Sequence, residues 1–208
     1  MGRRPLQDTR QILIDTALEL VWANSYGSVS VDDICKAAGV NKGSFYHFFP
    51  SKVDLALAAM DHSHDEFRAA YDGVFSPGTP PLQRFERMVE VVVEKQTEIF
   101  EKYGRVCGCP DGSLGCEMAG LEERIRLKFD ETAEYKKNYY RNALRDMVAE
   151  GILPPETDVK IKADEIFVYV LGQLTLARIQ NDLSILKRDL MPGLLGLLGV
   201  QRPAETAS

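Results

Sequence analysis

The run from Ser28 to Lys52, SVSVDDICKAAGVNKGSFYHFFPSK, leaves its backbone few choices. Ser30 stands where a helix needs an N-cap, and Asp33, three residues on, suits the positive end of that helix. Ile34, Ala37 and Ala38 supply a small apolar face for close packing. Gly39 fits the left-handed residue that ends a helix, and Val40 then closes the turn against a core. Asn41 is placed to cap the next helix, which turns Phe45 and Phe49 inward, one turn apart, and Lys42, Gly43, Ser44 and His47 outward. Two short helices joined by a tight turn, the second polar on its outer face, make a helix-turn-helix.

Three pieces of this stretch, Ile34 to Val40, Lys42 to Tyr46 and Phe49 to Lys52, resemble the DNA-binding head of the TetR (TetR/AcrR-type) family of bacterial transcriptional regulators. The similarity extends over some forty positions, including the preceding helix. Cys35 stands where the family usually has alanine, and Phe48 where it usually has tyrosine or histidine. The resemblance implies an all-α protein: a three-helix DNA-binding head over residues 1–52, a helical effector-binding and dimerisation domain over 53–200, and a disordered tail over 201–208. It also implies DNA contacts from Ser30, Asn41, Lys42, Gly43, Ser44, Tyr46, His47 and Lys52. The chemistry of these side chains agrees, since ammonium groups, hydroxyls and helix-start N–H groups suit phosphate, while Lys42, Ser44 and His47 are best placed to read base edges.

Charge supports a site-specific binder over a nucleic-acid coat. Residues 1–52 hold six basic and five acidic groups, while the remainder holds 19 and 26, which makes the whole chain −6 with a pI near 5.2. Sequence-independent binding needs many phosphate-neutralising cations, which an acidic body lacks. An architectural DNA-binding protein with no effector stays open as an alternative. No run of about eighteen apolar residues occurs and no apolar signal segment follows Arg3 and Arg4, so a cytoplasmic protein with no membrane partner is expected.

Along the chain, residues 1–7 read as an arm, with Arg3 and Arg4 able to enter a minor groove. A helix from Asp8 places Ile12, Leu13, Thr16, Ala17, Leu20 and Val21 on a face, and Trp22 is expected to pack against the head. Ser51 caps a helix reaching about Phe75, long enough to leave the head. His62 and His64, two apart, face different ways and read as solvated surface residues. Ser76 to Pro81 is a loop, Leu82 to about Lys102 an amphipathic helix, and Glu117 to Glu150 one long helix with Ile125, Phe129, Thr132, Tyr139, Ala143 and Met147 as its core. Asp158 caps a helix to about Asn181 that is apolar around most of its circumference, and a leucine-rich segment follows, with Pro192-Gly193 starting or kinking its last part. The surplus apolar surface fits a homodimer, by the family resemblance a four-helix bundle, with a merely well-buried monomer core as the other reading.

By the same resemblance a small effector, apolar or electrophilic, sits among the helices between about Met60 and Leu174, with Phe67, Met88, Cys109, Met118, Phe129 and Phe167 as lining candidates. Cys107, Cys109 and Cys116 cluster within ten residues near Arg105, ahead of a helix start expected around Ser113. The segment Gly108-Cys109-Pro110 resembles a loop in many members of the family, including repressors that sense electrophiles through a cysteine there, so a thiol-sensing repressor is the principal alternative. A cysteine-dependent thiol enzyme is the other, although a nucleophile wants a positioned base and no histidine lies near this loop in sequence. Three thiols with no fourth ligand at finger spacing suggest no metal site, and no cofactor is expected.

Overall fold

A computed structural model describes residues 6–200, all of whose regular elements are helices: α1 (Leu6–Ala23), α2 (Val31–Ala38), α3 (Lys42–Phe48), α4 (Lys52–Val74), α5 (Pro81–Tyr103), α6 (Pro110–Met118), α7 (Glu123–Ala149), α8 (Val159–Gln180) and α9 (Ser184–Leu198). The expected arm with Arg3 and Arg4 and the tail over 201–208 lie outside the described residues, and α1 begins at Leu6, two residues before the expected Asp8. The chain divides into two units. One comprises residues up to Ala69 together with Cys109–Thr132; the other comprises Ala70–Gly108 together with residues from Ala133 on. The expected boundary after residue 52 falls inside the first unit, because α4 runs on for 23 residues, about 35 Å at the usual rise, before it ends.

In the first unit the local signals act as their chemistry demands. Ser30 and Asp33 form a reciprocal capping box, with Asp33 N–H donating to Ser30 Oγ at 3.1 Å and Ser30 N–H to the Asp33 carboxylate at 2.9 Å. Gly39 takes φ +67°, and the N–H groups of Gly39 and Val40 close on Lys36 and Cys35 carbonyls, which satisfies two of the last carbonyls of α2. Asn41 caps α3 by accepting from Ser44 N–H at 2.8 Å. Phe45 and Phe49 then turn inward onto Leu13, Ile14, Ala17, Ile34 and Leu55. One expectation fails here: Ala37 is exposed and Cys35 is buried in its place. At about 100° per residue, Ile34, Ala38 and Cys35 share one arc, and Ala37 falls outside it.

A second cluster joins Tyr26, Ala56, Met60, Leu114 and Ile125, with Met118 and Phe129 packed against it. It contains α6, which is separate from α7 and not the start of one long helix from Glu117. Leu121 and Glu122 N–H groups both close on Met118 O around Gly120, and the Glu122 carboxylate accepts from Arg124 N–H to start α7. Arg124 and Lys128 then pair with Asp54 and Asp61 of α4, each at 2.8 Å. Neither His62 nor His64 is the solvated residue expected, since both are half-buried. His62 lies 3.3 Å from Asp15, 3.8 Å from Glu66 and 3.3 Å from Gln11, because an i,i+4 pair on α4 faces another on α1.

In the second unit Arg84 is buried and spans from α5 to Asp146 of α7 at 2.5 Å, while its other nitrogens donate to Thr79 O at 2.7 Å and Pro77 O at 3.3 Å. One guanidinium thereby fixes the Ser76–Pro80 loop. An aromatic core gathers Tyr71, Phe75, Phe85 and Tyr140. Tyr140 is buried there with the others, whereas its neighbour Tyr139, the expected core residue, is only half-buried and turns its hydroxyl to Asp72. Asp158 caps α8 as expected, accepting from Lys160 and Ile161 N–H, and Asn181 ends it in the left-handed region. Helix α9 runs through Pro192 instead of starting there.

Candidate nucleic-acid interface

The outward face of α3 carries most of the predicted contact residues. Lys42, Gly43 and His47 are exposed, and Tyr46 keeps 53% of its surface in solvent while its ring meets Phe45 edge-on at 5.1 Å. The His47 ring stands edge-on to Phe48 at 4.8 Å. Buried Phe45 and Phe49 set the roll of the helix, so these polar groups face out together. Lys42 pairs with Asp32 of α2 at 2.7 Å, and that hydrogen bond raises its pKa and keeps the ammonium charged. Both partners are well exposed, so the pair contributes little stability and leaves the ammonium able to exchange onto phosphate.

The other predicted residues have local duties. Ser30 and Asn41 spend their side chains as caps, while Ser44 is half-buried and gives its backbone N–H to Asn41. Lys52 is also half-buried: its ammonium lies 3.7 Å from the centre of the Tyr26 ring and donates to the Tyr26 carbonyl. Burial lowers its pKa, and Glu117 and Asp33 oppose that shift. Glu117 of α6 accepts from Tyr26 N–H at 3.2 Å and from Gly27 N–H at 3.0 Å. Sequence reasoning missed Glu117, and no local signal marks it, because its partners lie about ninety residues away.

The six expected effector residues are not gathered in one unit. Phe67, Cys109, Met118 and Phe129 belong to the first and Met88 and Phe167 to the second, and Met88 is fully buried core. A cavity in the first unit, with room for about two waters, is lined instead by Trp22, Tyr26, Lys52, Met60, Asp111 and Leu114 among others. None of the four cysteines, all among the described residues, is in a disulfide. Cys107 is 2% exposed, and burial pushes its thiol pKa up against the pull of Arg178 and Arg105, opposite to the activation expected from its position. Gln96 grips the next residue from both sides, accepting from Gly108 N–H at 3.0 Å and donating to Gly108 O at 3.1 Å. Cys109 is half-buried and is itself the N-cap of α6, its sulfur accepting from Gly112 N–H at 3.4 Å; the helix therefore starts at Pro110, three residues ahead of Ser113. Cys116 is exposed. With iodoacetamide at neutral pH, the folded chain is expected to alkylate at Cys116 first, at Cys109 more slowly, and at Cys107 and Cys35 only on unfolding. Peptide mass spectrometry over time checks the order; early labelling of Cys107 would contradict it.

Residues 13–59 match the family described as bacterial regulatory proteins, tetR family, and residues 81–190 match the tetracyclin repressor-like C-terminal domain. The transcriptional regulator AcuR of Cereibacter sphaeroides is 33% identical over 174 residues, covering 82% of this chain and 76% of that protein. The transcriptional repressor NemR of Escherichia coli is 24% identical over 133 residues, covering 64% of this chain and 65% of that one. Among solved structures, a regulatory protein TetR from Rhodobacter sphaeroides superposes with a TM-score of 0.79 at 29% identity, covering 88% of this chain and 95% of that one. The reduced form of E. coli NemR shares the fold with a TM-score of 0.76 at 22% identity, covering 95% and 99%. No helix among the described residues is long and apolar enough to cross a membrane. These relatives are named as regulators, not enzymes, and the chain belongs to the TetR family of transcriptional regulators, with a helix-turn-helix DNA-binding domain.

Proposed function

We propose that the protein is a homodimeric repressor that grips a roughly palindromic double-stranded DNA operator in the cytoplasm and releases it when a small apolar or electrophilic effector binds. The observation that carries this reading is the outer face of α3, where Lys42, Gly43, Tyr46 and His47 stand exposed on a helix that Asn41 and the two buried phenylalanines fix in place. Lys42, Ser44 and His47 read bases, Tyr46 and the Gly43 backbone approach phosphate, and the Ser30 and Asn41 caps present helix-start N–H groups to the duplex. Release follows from linkage: an effector that prefers the binding-incompetent state weakens operator affinity by the same coupling free energy.

Selection of bound fragments from random duplexes tests it. The selected site is expected to bind at least about 10³-fold more tightly than random duplex, with Lys42→Ala and His47→Ala each costing about tenfold. Equal affinity for selected and random DNA with a steep salt dependence would favour an architectural protein instead.

A second reading, supported by the Cys109 cap on α6, is that electrophiles act through this thiol. Addition of the thiol to an electrophile gives a thioether whose added group displaces the sulfur from Gly112 N–H and so loosens the first turn of α6. Operator affinity measured before and after one equivalent of a quinone, in Cys116→Ser and in the Cys109→Ser/Cys116→Ser double variant, separates the two readings. A loss confined to Cys116→Ser supports the thiol switch, and no change in either leaves a non-covalent effector.

A further inference from the structure

The turn that feeds α2 is held from outside by two side chains. Within residues 25–28 the serines tie the turn to itself, Ser28 N–H donating to Ser25 Oγ at 3.2 Å and Ser28 Oγ to Ser25 O at 3.1 Å. The peptide unit between Tyr26 and Gly27 is then gripped at both ends. Its N–H is taken by the Glu117 carboxylate at 3.0 Å, and its carbonyl by the Lys52 ammonium, which also covers the Tyr26 ring. The second Glu117 oxygen holds Tyr26 N–H as well. Both bonds are charge-assisted, the stronger kind, and the Tyr26 side chain is buried between them. Val29 and the Ser30 cap follow directly, so the position of this peptide sets where α2, and through Gly39 and Asn41 the outer face of α3, stands relative to α4 and α6.

We infer that Glu117 and Lys52 are positioning residues for the reading head, acting as one clamp on the Tyr26–Gly27 peptide, and that Lys52 fills this role in place of a phosphate contact. The inference rests on the DNA-binding reading above. It gives α6 a defined means of acting on the helix-turn-helix. Movement of α6 changes the hold on the peptide, and a released peptide leaves α2 and α3 to be ordered at the expense of binding.

The salt dependence of operator binding separates a clamp from a phosphate contact. A lysine on phosphate releases a counterion, and its removal lowers the slope of log K against log salt by about one. Affinity for the selected operator is measured across a salt series for wild type, Lys52→Met, Glu117→Ala, Glu117→Gln and the Lys52→Met/Glu117→Ala double variant, each first shown by thermal melting to be folded. Lys52→Met, which loses one charge-assisted hydrogen bond, and Glu117→Ala, which loses two, are each expected to weaken binding at least about tenfold, with the slope unchanged. The double variant is expected to be no weaker than either single one, because both act on one peptide. Glu117→Gln, which keeps an acceptor oxygen, is expected to stay within about threefold of wild type. A slope reduced by about one in Lys52→Met, additive losses near a hundredfold in the double variant, or an unaffected Glu117→Ala overturns the clamp. Failure of wild type to discriminate the operator from random duplex is a separate result: it overturns the DNA-binding reading, and the clamp falls with it.

Discussion

Replacing Val168 and Ile179 together by glutamate is expected to leave the protein monomeric at micromolar concentration and to weaken operator binding at least about a hundredfold. Along α8, Ile161, Val168, Gly172 and Ile179 follow one another at spacings of seven, four and seven residues, which places them on one stripe of the helix. Val168 is 66% and Ile179 75% exposed, and a side chain added at Gly172 would meet nothing. Large apolar residues so open on a single helix face mark an association surface, and a glycine in its middle lets a second helix come close. A second copy of this chain is the partner that suits such a stripe, since an isologous contact pairs it with itself. Burying one such side chain contributes about 1.5–3 kcal/mol, and a two-fold interface counts each residue twice. Glutamates facing each other there lose that burial and add an unpaired buried charge. Because both residues point to solvent in the single chain, substitution leaves the packing inside each protomer intact. A monomer that keeps its helicity, seen by sedimentation and circular dichroism, with parallel loss of operator affinity is the expected outcome. A persistent dimer would place the interface elsewhere.

The sequence reveals this fold wherever the determining signal is local. The Ser30 cap, the left-handed Gly39, the Asn41 cap and the Phe45/Phe49 pair each involve residues within five positions of one another, and all four stand as read; the return bond from Ser30 N–H to the Asp33 carboxylate adds to the first. The break between α6 and α7 needed one turn around Gly120 to be recognised inside a periodic stretch, and a single glycine does not announce whether it ends a helix or sits within one. Tyr139 and Tyr140 are adjacent, and a roll of the helix by one residue decides which is buried. The clamp illustrates a different limit. Lys52 carries the chemistry of a phosphate ligand, and only the return of the chain at Glu117 and the burial of Tyr26 reveal another use for its charge. Likewise, position near Arg105 suggests a lowered thiol pKa at Cys107, whereas its burial shifts it the other way. The six effector candidates share no local pattern beyond residue type, and type alone does not distinguish a pocket wall from a core.

Gly193 is expected to be the position where the smallest possible side chain does the most harm. A methyl group there would lie 1.8 Å from Tyr169 Oη and 2.4 Å from its Cζ, inside the ring that α8 inserts against α9. Tyr169 is held in place, donating to Asp189 O at 2.7 Å in the turn before Pro192. Gly193→Ala forces the tyrosine out, so it gives up this hydrogen bond and strains the packing between the two helices. Overpacking costs about 1–3 kcal/mol and the lost bond about 1, while the better helix propensity of alanine returns at most about 1. The net expectation is a loss of about 2 kcal/mol, or about 4–8 °C in Tm for a chain of this size. Gly196, on the same helix, supplies the control, because a methyl group there meets nothing. Gly196→Ala gains the propensity without the clash and is expected to raise Tm slightly. Thermal unfolding of both variants at equal protomer concentration decides the matter: opposite signs follow from the Tyr169 contact, whereas a neutral Gly193→Ala would mean that the ring has room to move.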